Sequence, residues 1–339
     1  MMWEGCGAMD RFEMGGYLPL ELHQGSSYFE NIPAEQILAV NTGRTAIWYG
    51  IRSLGVHKVF APYYYCPDII AMLEQTGVEI SYYRIGADFL PLNVLDEEDA
   101  GIILVNYFGV VGEKLLRYSK NFRKVIFDQA HSFYTPPVLE EGVMNVYSCR
   151  KFFGVSDGAY LIGKGIEKPE LERDVSSVRA GHLLKSVELG TNSAYLESKH
   201  NEEVLGEKKL AMSVLTEQIL RGTDYEAVAA KRNRNFQYLH QRLKKLQQLE
   251  IAESDPVPYA YPLLLDRDIH KELVRERIYV PVLWSQLLER KWNGTLEQRY
   301  SANIVPLPLD QRYDEAQLEH MVRIIEACLE EKTGSEGQG

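Results

Sequence analysis

The chain lacks the features that would tie it to an oxidising compartment or a membrane. Its four cysteines, Cys6, Cys66, Cys149 and Cys328, stand far apart with no C-x-x-C pairing, which argues against a disulfide framework or a zinc pattern, so no metal is expected. No apolar run approaches the roughly 20 residues that span a bilayer. The opening "MMWEGCGAMDRFEMGG" has no basic segment followed by an apolar run, so no signal peptide is expected and the cytoplasm is the expected location. Positive charge is scarce as well: 37 Lys and Arg stand against 48 Asp and Glu, a formal net charge of −11. Nucleic-acid surfaces need clustered cations, so nucleic acid is not an expected partner. A local basic pocket for a phosphorylated small molecule is still compatible with this balance. There is no internal repeat and no low-complexity linker, and the polar, Gly-rich tail "EEKTGSEGQG" is expected to fray.

What is present is an ordinary globular composition, 45% hydrophobic and 25% charged over 339 residues, long enough for a large core. Short apolar runs alternate with helix-period segments: "ILAV" (37–40), "KVFAP" (58–62), "VEISYYRI", "GIILVNYFG", "KVIFDQA", "GVMNVYS" and "AYLI". Each is rich in β-branched and aromatic residues. Such runs separated by helices predict an α/β fold whose large domain has a mostly parallel central sheet covered on both faces. Ligands of such sheets sit at the carboxyl ends of the strands. From about 165 to 225 the chain turns polar and helix-rich. A long amphipathic helix, "YEAVAAKRNRNFQYLHQRLKKLQQL", then opens a second unit. Its order of helix, "YAYPLLL" strand, helix, "IYVPVLW" strand and final helix predicts a smaller C-terminal α/β domain. The expected division is an N-terminal segment 1–30, a large domain 31–225, a small domain 226–332 and a flexible tail 333–339.

Four features fall at predicted strand ends. Thr42-Gly43-Arg44-Thr45 opens a helix after "LAV". Free amides and the helix dipole would make it a phosphate seat, although on its own an ordinary N-cap at Asn41 or Thr42 is the plainer explanation. Asp128 ends "KVIF"; it could pair with a protonated ring nitrogen with His131 in support, or be satisfied by loop amides. Lys151 lies in "VYSCRKFFGVSDGAYLI". In aromatic surroundings its charged form would be disfavoured and its amine made more nucleophilic, as Schiff-base chemistry requires; a lysine reaching to solvent is the plain alternative. Tyr63-Tyr64-Tyr65 could stack on a flat ring or simply pack. In this order the four supply amides for a phosphate, a face for a ring, a carboxylate for a pyridine nitrogen and an amine for an aldehyde. Those are the contacts of pyridoxal phosphate.

On these residues the chain resembles the fold-type I pyridoxal-phosphate enzymes, and within them the DegT/DnrJ/EryC1/StrS group of sugar aminotransferases. "TGRTAI" resembles the phosphate turn of that group, "PYYYC" its Pro-x-aromatic segment, and "VNYFG" its "HxxG" stretch with Asn106 in the usual His place. "FDQAH" is similar to "DxAH", which implies that Asp128 meets the pyridine nitrogen, that Ala130 packs beneath the ring and that His131 takes the motif's last place. "KFFGVSDG" resembles the group's lysine followed by Glu-Gly, here Asp157-Gly158. "GTNSAYLE" is similar to "GYNYRMSE", which implies that Asn192 reaches the phosphate of a partner subunit and that the protein is a homodimer with sites at its interface. The chain departs from the group where Ser148 stands three residues before the lysine instead of five, where Ala194 replaces an Arg, and where Gly-Glu-Gly-Gly is reduced to Asp-Gly-Ala.

The resemblance implies a pyridoxal-phosphate-dependent aminotransferase with Lys151 as Schiff-base lysine and proton carrier, Asp128 and His131 beside it, and Thr42, Gly43, Arg44, Thr45, Tyr64, Tyr65, Asn106, Ala130, Ser148 and Asn192 in the cofactor site. It also implies a nucleotide-linked keto sugar as acceptor and glutamate as amino donor. A dehydratase or deoxygenase using the same cofactor is one alternative, but known dehydratases of this kind carry His where this chain has Lys151. A non-catalytic regulatory relative is another, against which the intact Asp128 and Lys151 pair argues. The role of Arg150 is open between tuning the lysine, holding a substrate phosphate and facing water.

Overall fold

The computed structural model describes residues 14–206, 208–251 and 257–333; Cys6 and the tail from residue 334 onwards lie outside the described residues. Strand β1 (Ile37–Val40) runs into helix α1 (Gly43–Leu54). Thr42 starts the helix because its Oγ1 accepts the amide of Thr45 at 3.1 Å, the usual way to satisfy one of the first helical donors. Gly55 ends it in a left-handed conformation, φ 62°. The buried face of α1, Ala46, Ile47, Gly50, Ile51 and Leu54, repeats at three- and four-residue spacing. It lies on β7 (Val143–Ser148) and β8 (Ala159–Gly163). Gly50 sets that approach, since a Cβ there would stand 3.3 Å from Leu161 Cδ1.

Between α1 and β7 come β2 (Lys58–Pro62), α2 (Pro67–Gln75), β3 (Glu79–Ile85), β4 (Pro91–Leu92), β5 (Ala100–Val105), α3 (Gly112–Ser119) and β6 (Val125–Asp128). The eight strands form one sheet in the order β1-β8-β7-β6-β5-β2-β3-β4. Strands β7, β6, β5, β2 and β3 are parallel, β8 is antiparallel to both β7 and β1, and β4 is antiparallel to β3. Every residue of β5, "AGIILV", is buried, as a strand covered on both faces requires. The expected α/β class with a mostly parallel sheet is thus the fold observed. Since β1 runs in the same direction as β7, the carboxyl ends of β1, β2, β5, β6 and β7 share one edge. The winding reverses beside β2, where β3 lies on one side and β5 on the other; this is where open α/β sheets leave a crevice.

Helices α4 (Gly181–Leu189), α5 (Tyr195–Val204) and α6 (Val214–Arg221) follow the sheet. Neither α4 nor α5 buries a residue, and Val187 and Leu196 are 85% and 79% exposed. The chain then forms α7 (Tyr225–Leu243), β9 (Tyr261–Leu264), α8 (His270–Arg275), α9 (Leu296–Asn303), β10 (Ile304–Leu307) and α10 (Glu315–Thr333). Strands β9 and β10 pair antiparallel and pack with Leu239, Leu243, Val322 and Ile325 in an apolar cluster of their own. The first turn of α7 joins a different cluster: Tyr225, Val228 and Ala229 pack with Phe133, Tyr147 and Phe152 beside the large sheet. This single helix therefore connects the two packing centres.

One strand expectation is overturned. "IYVPVLW" forms no strand; the partner of β9 is β10, inside "VPLPLD". Arg277 and Trp284 hold left-handed backbones, φ 61° and 55°, and Pro281 has no amide to donate, so the segment between them cannot extend a ladder. Pro306 is tolerated in β10 because it faces Pro262 in a ribbon of two edge strands. Among the described residues, no helix is long and apolar enough to cross a membrane.

Candidate active site

A cavity of about 480 Å³ opens where the carboxyl ends of the parallel strands meet the C-terminal elements. The start of α1 supplies Thr42, Gly43 and Arg44 to its wall. Gly43 and Arg44 are the first two residues of the helix, and their amides have no acceptor among the described residues. A Cβ on Gly43 would meet no atom within 4 Å. Two free amides and a helix dipole therefore face open space. Ser148, at the end of β7, lines the same cavity.

Asp128 ends β6 and is 4% exposed. Its Oδ2 accepts the hydroxyl of Tyr65 at 2.7 Å and its Oδ1 the amide of Ala130 at 2.9 Å. Burial pushes the Asp128 pKa above its ordinary value, while the Tyr65 hydrogen bond, the Ala130 amide and the charge of Lys151 pull it back. His131 makes no hydrogen bond to Asp128, so the support expected from it comes from Tyr65. The Nδ1 of His131 accepts the amide of Phe108 at 3.2 Å, which leaves the proton of the neutral ring on Nε2. Burial, reinforced by Lys151, holds His131 neutral well below the usual histidine range. Its ring stacks on Tyr259, centroids 4.6 Å apart.

Lys151 closes a short 3-10 turn, Cys149–Lys151, that continues β7 into the cavity. Its Nζ lies 5.3 Å from the centroid of the Tyr259 ring. Arg150 turns to Glu202 of α5: Nη1 meets Oε1 at 3.2 Å, and Nη2 pairs with Oε2. Both residues line the cavity. Burial raises the Glu202 pKa, but Arg150, then Lys151 and Arg44, outweigh it and hold the carboxyl below its usual range.

Other expected residues stand behind or outside the cavity. Thr45 is buried in the cap of α1, its hydroxyl 2.9 Å from Asn41 Oδ1. Tyr64 is fully buried, edge-on to Trp284 at 4.2 Å between centroids, and Tyr63 stacks on Tyr82. Asn106 spends its side chain on protein partners: Nδ2 donates to Gln129 and Ser132, and Oδ1 accepts the amides of Val111 and Gly112. Asn192 is exposed in the turn Thr191–Ala194 and does not reach this cavity. The segment that runs beside the start of α1 is 208–212 instead, tied by Asn41 Nδ2 to the Lys208 carbonyl at 3.0 Å and by the Met212 amide to Ala39. The Ser-Asp-Gly turn is structural as well. Asp157 is wholly buried and accepts the amide and hydroxyl of Ser213, at 2.8 and 2.7 Å, and the hydroxyl of Thr216, so it holds in place Ser213, the N-cap of α6.

No protein-family model and no curated protein matches the sequence. Solved structures do match the fold. A DegT DnrJ EryC1 StrS aminotransferase from Brucella abortus is 15% identical, with 86% of this chain and 85% of that one covered and a TM-score of 0.56. DesI, solved in the presence of its TDP-sugar product, is 14% identical over 89% of this chain and 83% of its own, TM-score 0.57. The PMP form of Spr1654 from Streptococcus pneumoniae is 14% identical over 89% of each chain, TM-score 0.59. The chain shares their fold. In it, the C-terminal elements supply a wall that sequence reasoning missed: Arg232 from α7, then Tyr259, Trp284, Asp310 and Arg312. Glu202 was missed too. A lone Arg in a helix or Tyr in a loop carries no signal in sequence, since only the folding of the C-terminal elements over the sheet edge brings these residues to Lys151.

Proposed function

We propose that the protein is a pyridoxal-phosphate-dependent aminotransferase acting on a nucleotide-linked keto sugar, with glutamate as amino donor. One observation carries the reading: Lys151, Asp128 with its Tyr65 partner, and the free amides of Gly43 and Arg44 all open into one cavity. The residues present fit the group. Helix-terminal amides with the hydroxyls of Thr42 and Ser148 suit a phosphate, a buried carboxylate suits a pyridinium, and a cavity lysine suits an aldehyde. The fold is shared with Spr1654, solved in PLP and PMP forms, and with DesI, solved with its TDP-sugar product.

When bound, pyridoxal phosphate supplies an electrophilic carbonyl and an electron sink. Lys151 would hold it through Nζ, and the same amine would take and return the proton at the substrate carbon. Asp128 keeps the proton on the ring nitrogen, and Tyr65 and the Ala130 amide keep Asp128 in place. Thr42, Gly43, Arg44 and Ser148 anchor the phosphate. Asn192 belongs to the site of a partner subunit in a homodimer; the exposed apolar Val187, Leu189, Tyr195 and Leu196 around it support that arrangement.

The visible spectrum tests the reading. The protein with added pyridoxal phosphate should turn yellow, the band should vanish on borohydride treatment, and Lys151→Ala should never show it. A wild-type protein that stays colourless would sink the proposal. A yellow protein that no amino donor converts to the pyridoxamine form would retain the cofactor but overturn the transamination.

A further inference from the structure

Two arginines of the cavity wall, Arg44 at the start of α1 and Arg150 beside Lys151, are both spent on the end of α5. Arg150 gives Nη1 to Oε1 of Glu202 at 3.2 Å and pairs its Nη2 with Oε2. Arg44 donates Nη2 to the Leu205 carbonyl. Its guanidinium lies so near the chain that a Cβ on Gly206 would stand 2.5 Å from Nη2. Asp68 is 3.9 Å from Nη1 of Arg44, and its side chain is largely exposed. Glu202 is therefore the acid that stands among these cations. Against the effect of burial, Arg150, then Lys151 and Arg44, hold its carboxyl below the usual range. The amides of Gly43 and Arg44 nevertheless have no acceptor among the described residues, so the carboxylate occupies the charged part of the seat and leaves its amides free.

We propose that Arg150 joins Arg44 in binding the cofactor phosphate, and that Glu202 is an internal stand-in for that phosphate, withdrawn when it enters; the identity of the ligand rests on the aminotransferase reading. A phosphate and a carboxylate cannot share one set of cations without like-charge repulsion. The phosphate wins the exchange on two counts. It carries nearly two charges and three acceptor oxygens, and it can take the helix amides that Glu202 leaves unused. The Glu202 side chain is 54% exposed, so its pairing with Arg150 is screened by water and worth little. Withdrawal disturbs no core either. Helix α5 buries no residue, and Leu205 just beyond it is buried and keeps the chain in place, so only the Glu202 side chain has to turn to solvent. In the empty site the carboxylate offsets the mutual repulsion of three gathered cations.

Titrations of the wild type, Glu202→Gln, Glu203→Gln, Arg150→Gln and the Arg150→Gln/Glu202→Gln pair test this. Pyridoxal phosphate is followed by its visible band and inorganic phosphate by calorimetry. In Glu202→Gln the Kd of both should fall about threefold to tenfold, the range of a partly screened charge contact. Arg150→Gln should raise both by about tenfold. In the double variant the gain from Glu202→Gln should all but vanish, as for two groups that compete for one guanidinium. Glu203→Gln makes the same charge change on the same helix and should bind like the wild type. Unchanged or weaker binding by Glu202→Gln, an equal gain in Glu203→Gln, or wild-type binding by Arg150→Gln would overturn the proposal. Pyrophosphate titrated into protein already loaded with pyridoxal phosphate separates the cofactor's phosphate from a substrate's. A gain in Glu202→Gln confined to pyrophosphate would overturn the assignment to the cofactor. Melting temperatures verify folding, and the comparison of Glu202→Gln with Glu203→Gln decides alone if Arg150→Gln does not fold. A wild type that never turns yellow removes the aminotransferase reading. The phosphate titration of that same protein still shows whether Glu202 holds an anion site closed.

Discussion

The hydroxyl of Tyr65 lies 2.7 Å from Oδ2 of Asp128, joining the segment after β2 to the end of β6 across the strand between them, β5. This bond fixes the carboxylate where it faces the cavity and offsets part of its burial. Tyr65→Phe removes that donor, so the Asp128 pKa should rise further and less of the carboxylate should be ionised. Cofactor affinity, read from the visible band on titration with pyridoxal phosphate, should fall by about tenfold or more, the usual worth of a hydrogen bond to a charged group. Wild-type affinity in Tyr65→Phe would refute the role assigned to the hydroxyl.

Asp128 should trade stability for function. Its pKa is raised from 3.8 in the folded protein, so the native state binds the proton more tightly than the unfolded chain. Stability then falls as pH rises from 3.8 through the raised value, and the deficit persists at neutral pH. Asp128→Asn removes the buried charge. The cofactor-free variant should melt above wild type at pH 7 while losing transamination, and an equal or lower melting temperature would contradict this account.

For His131 the sign is opposite. The folded ring stays neutral well below 6.5, whereas the unfolded chain takes up a proton near that value. Its contribution to stability is complete above pH 6.5 and is lost as pH falls, at up to about 1.4 kcal/mol per pH unit. Urea unfolding at pH 7.5 and at pH 5 should show a smaller acid loss in His131→Gln than in wild type. Parallel curves for the two proteins would exclude His131 as the source.

Asp157 should behave as a structural residue despite its place near Lys151 in sequence. Asp157→Ala leaves the Ser213 amide and two hydroxyls buried without their acceptor. Chemical denaturation should register a loss of about 3 kcal/mol, with cofactor affinity retained in the protein that remains folded. A variant of normal stability that had lost the yellow band would restore Asp157 to the cofactor site.

The fold was largely legible in the chain. A parallel strand buried on both faces must be apolar throughout, as "AGIILV" is, and the Thr42 cap and Gly55 stop of α1 are local chemistry. What escaped was β4, with only two residues, and the exchange of "IYVPVLW" for "VPLPLD" as the partner of β9. Both segments are β-branched and proline-bearing, and backbone reversals at Arg277 and Trp284 decided between them. Within the site, "FDQAH" pointed to Asp128 because a carboxylate at the end of a buried strand is anomalous in composition alone. The partner it uses was misread: Tyr65 sits in a run of three tyrosines that looked like a stacking face, and nothing local distinguishes the one whose hydroxyl turns inward.

The sequence by itself determined the alternation of strand and helix, the parallel sheet, and the placing of Thr42, Asp128, Ser148 and Lys151 at strand ends. Those properties follow from periodicity and from turn chemistry within a few residues. Only the tertiary structure decided that Arg150 pairs with Glu202, that Asp157 holds the Ser213 cap of α6, that Asn106 is used up in holding a turn, and that Arg232 joins the cavity wall over the ring of Phe152. Each of those depends on side chains brought together from elements far apart in the chain, and distances of that kind are set by packing, which no local pattern encodes.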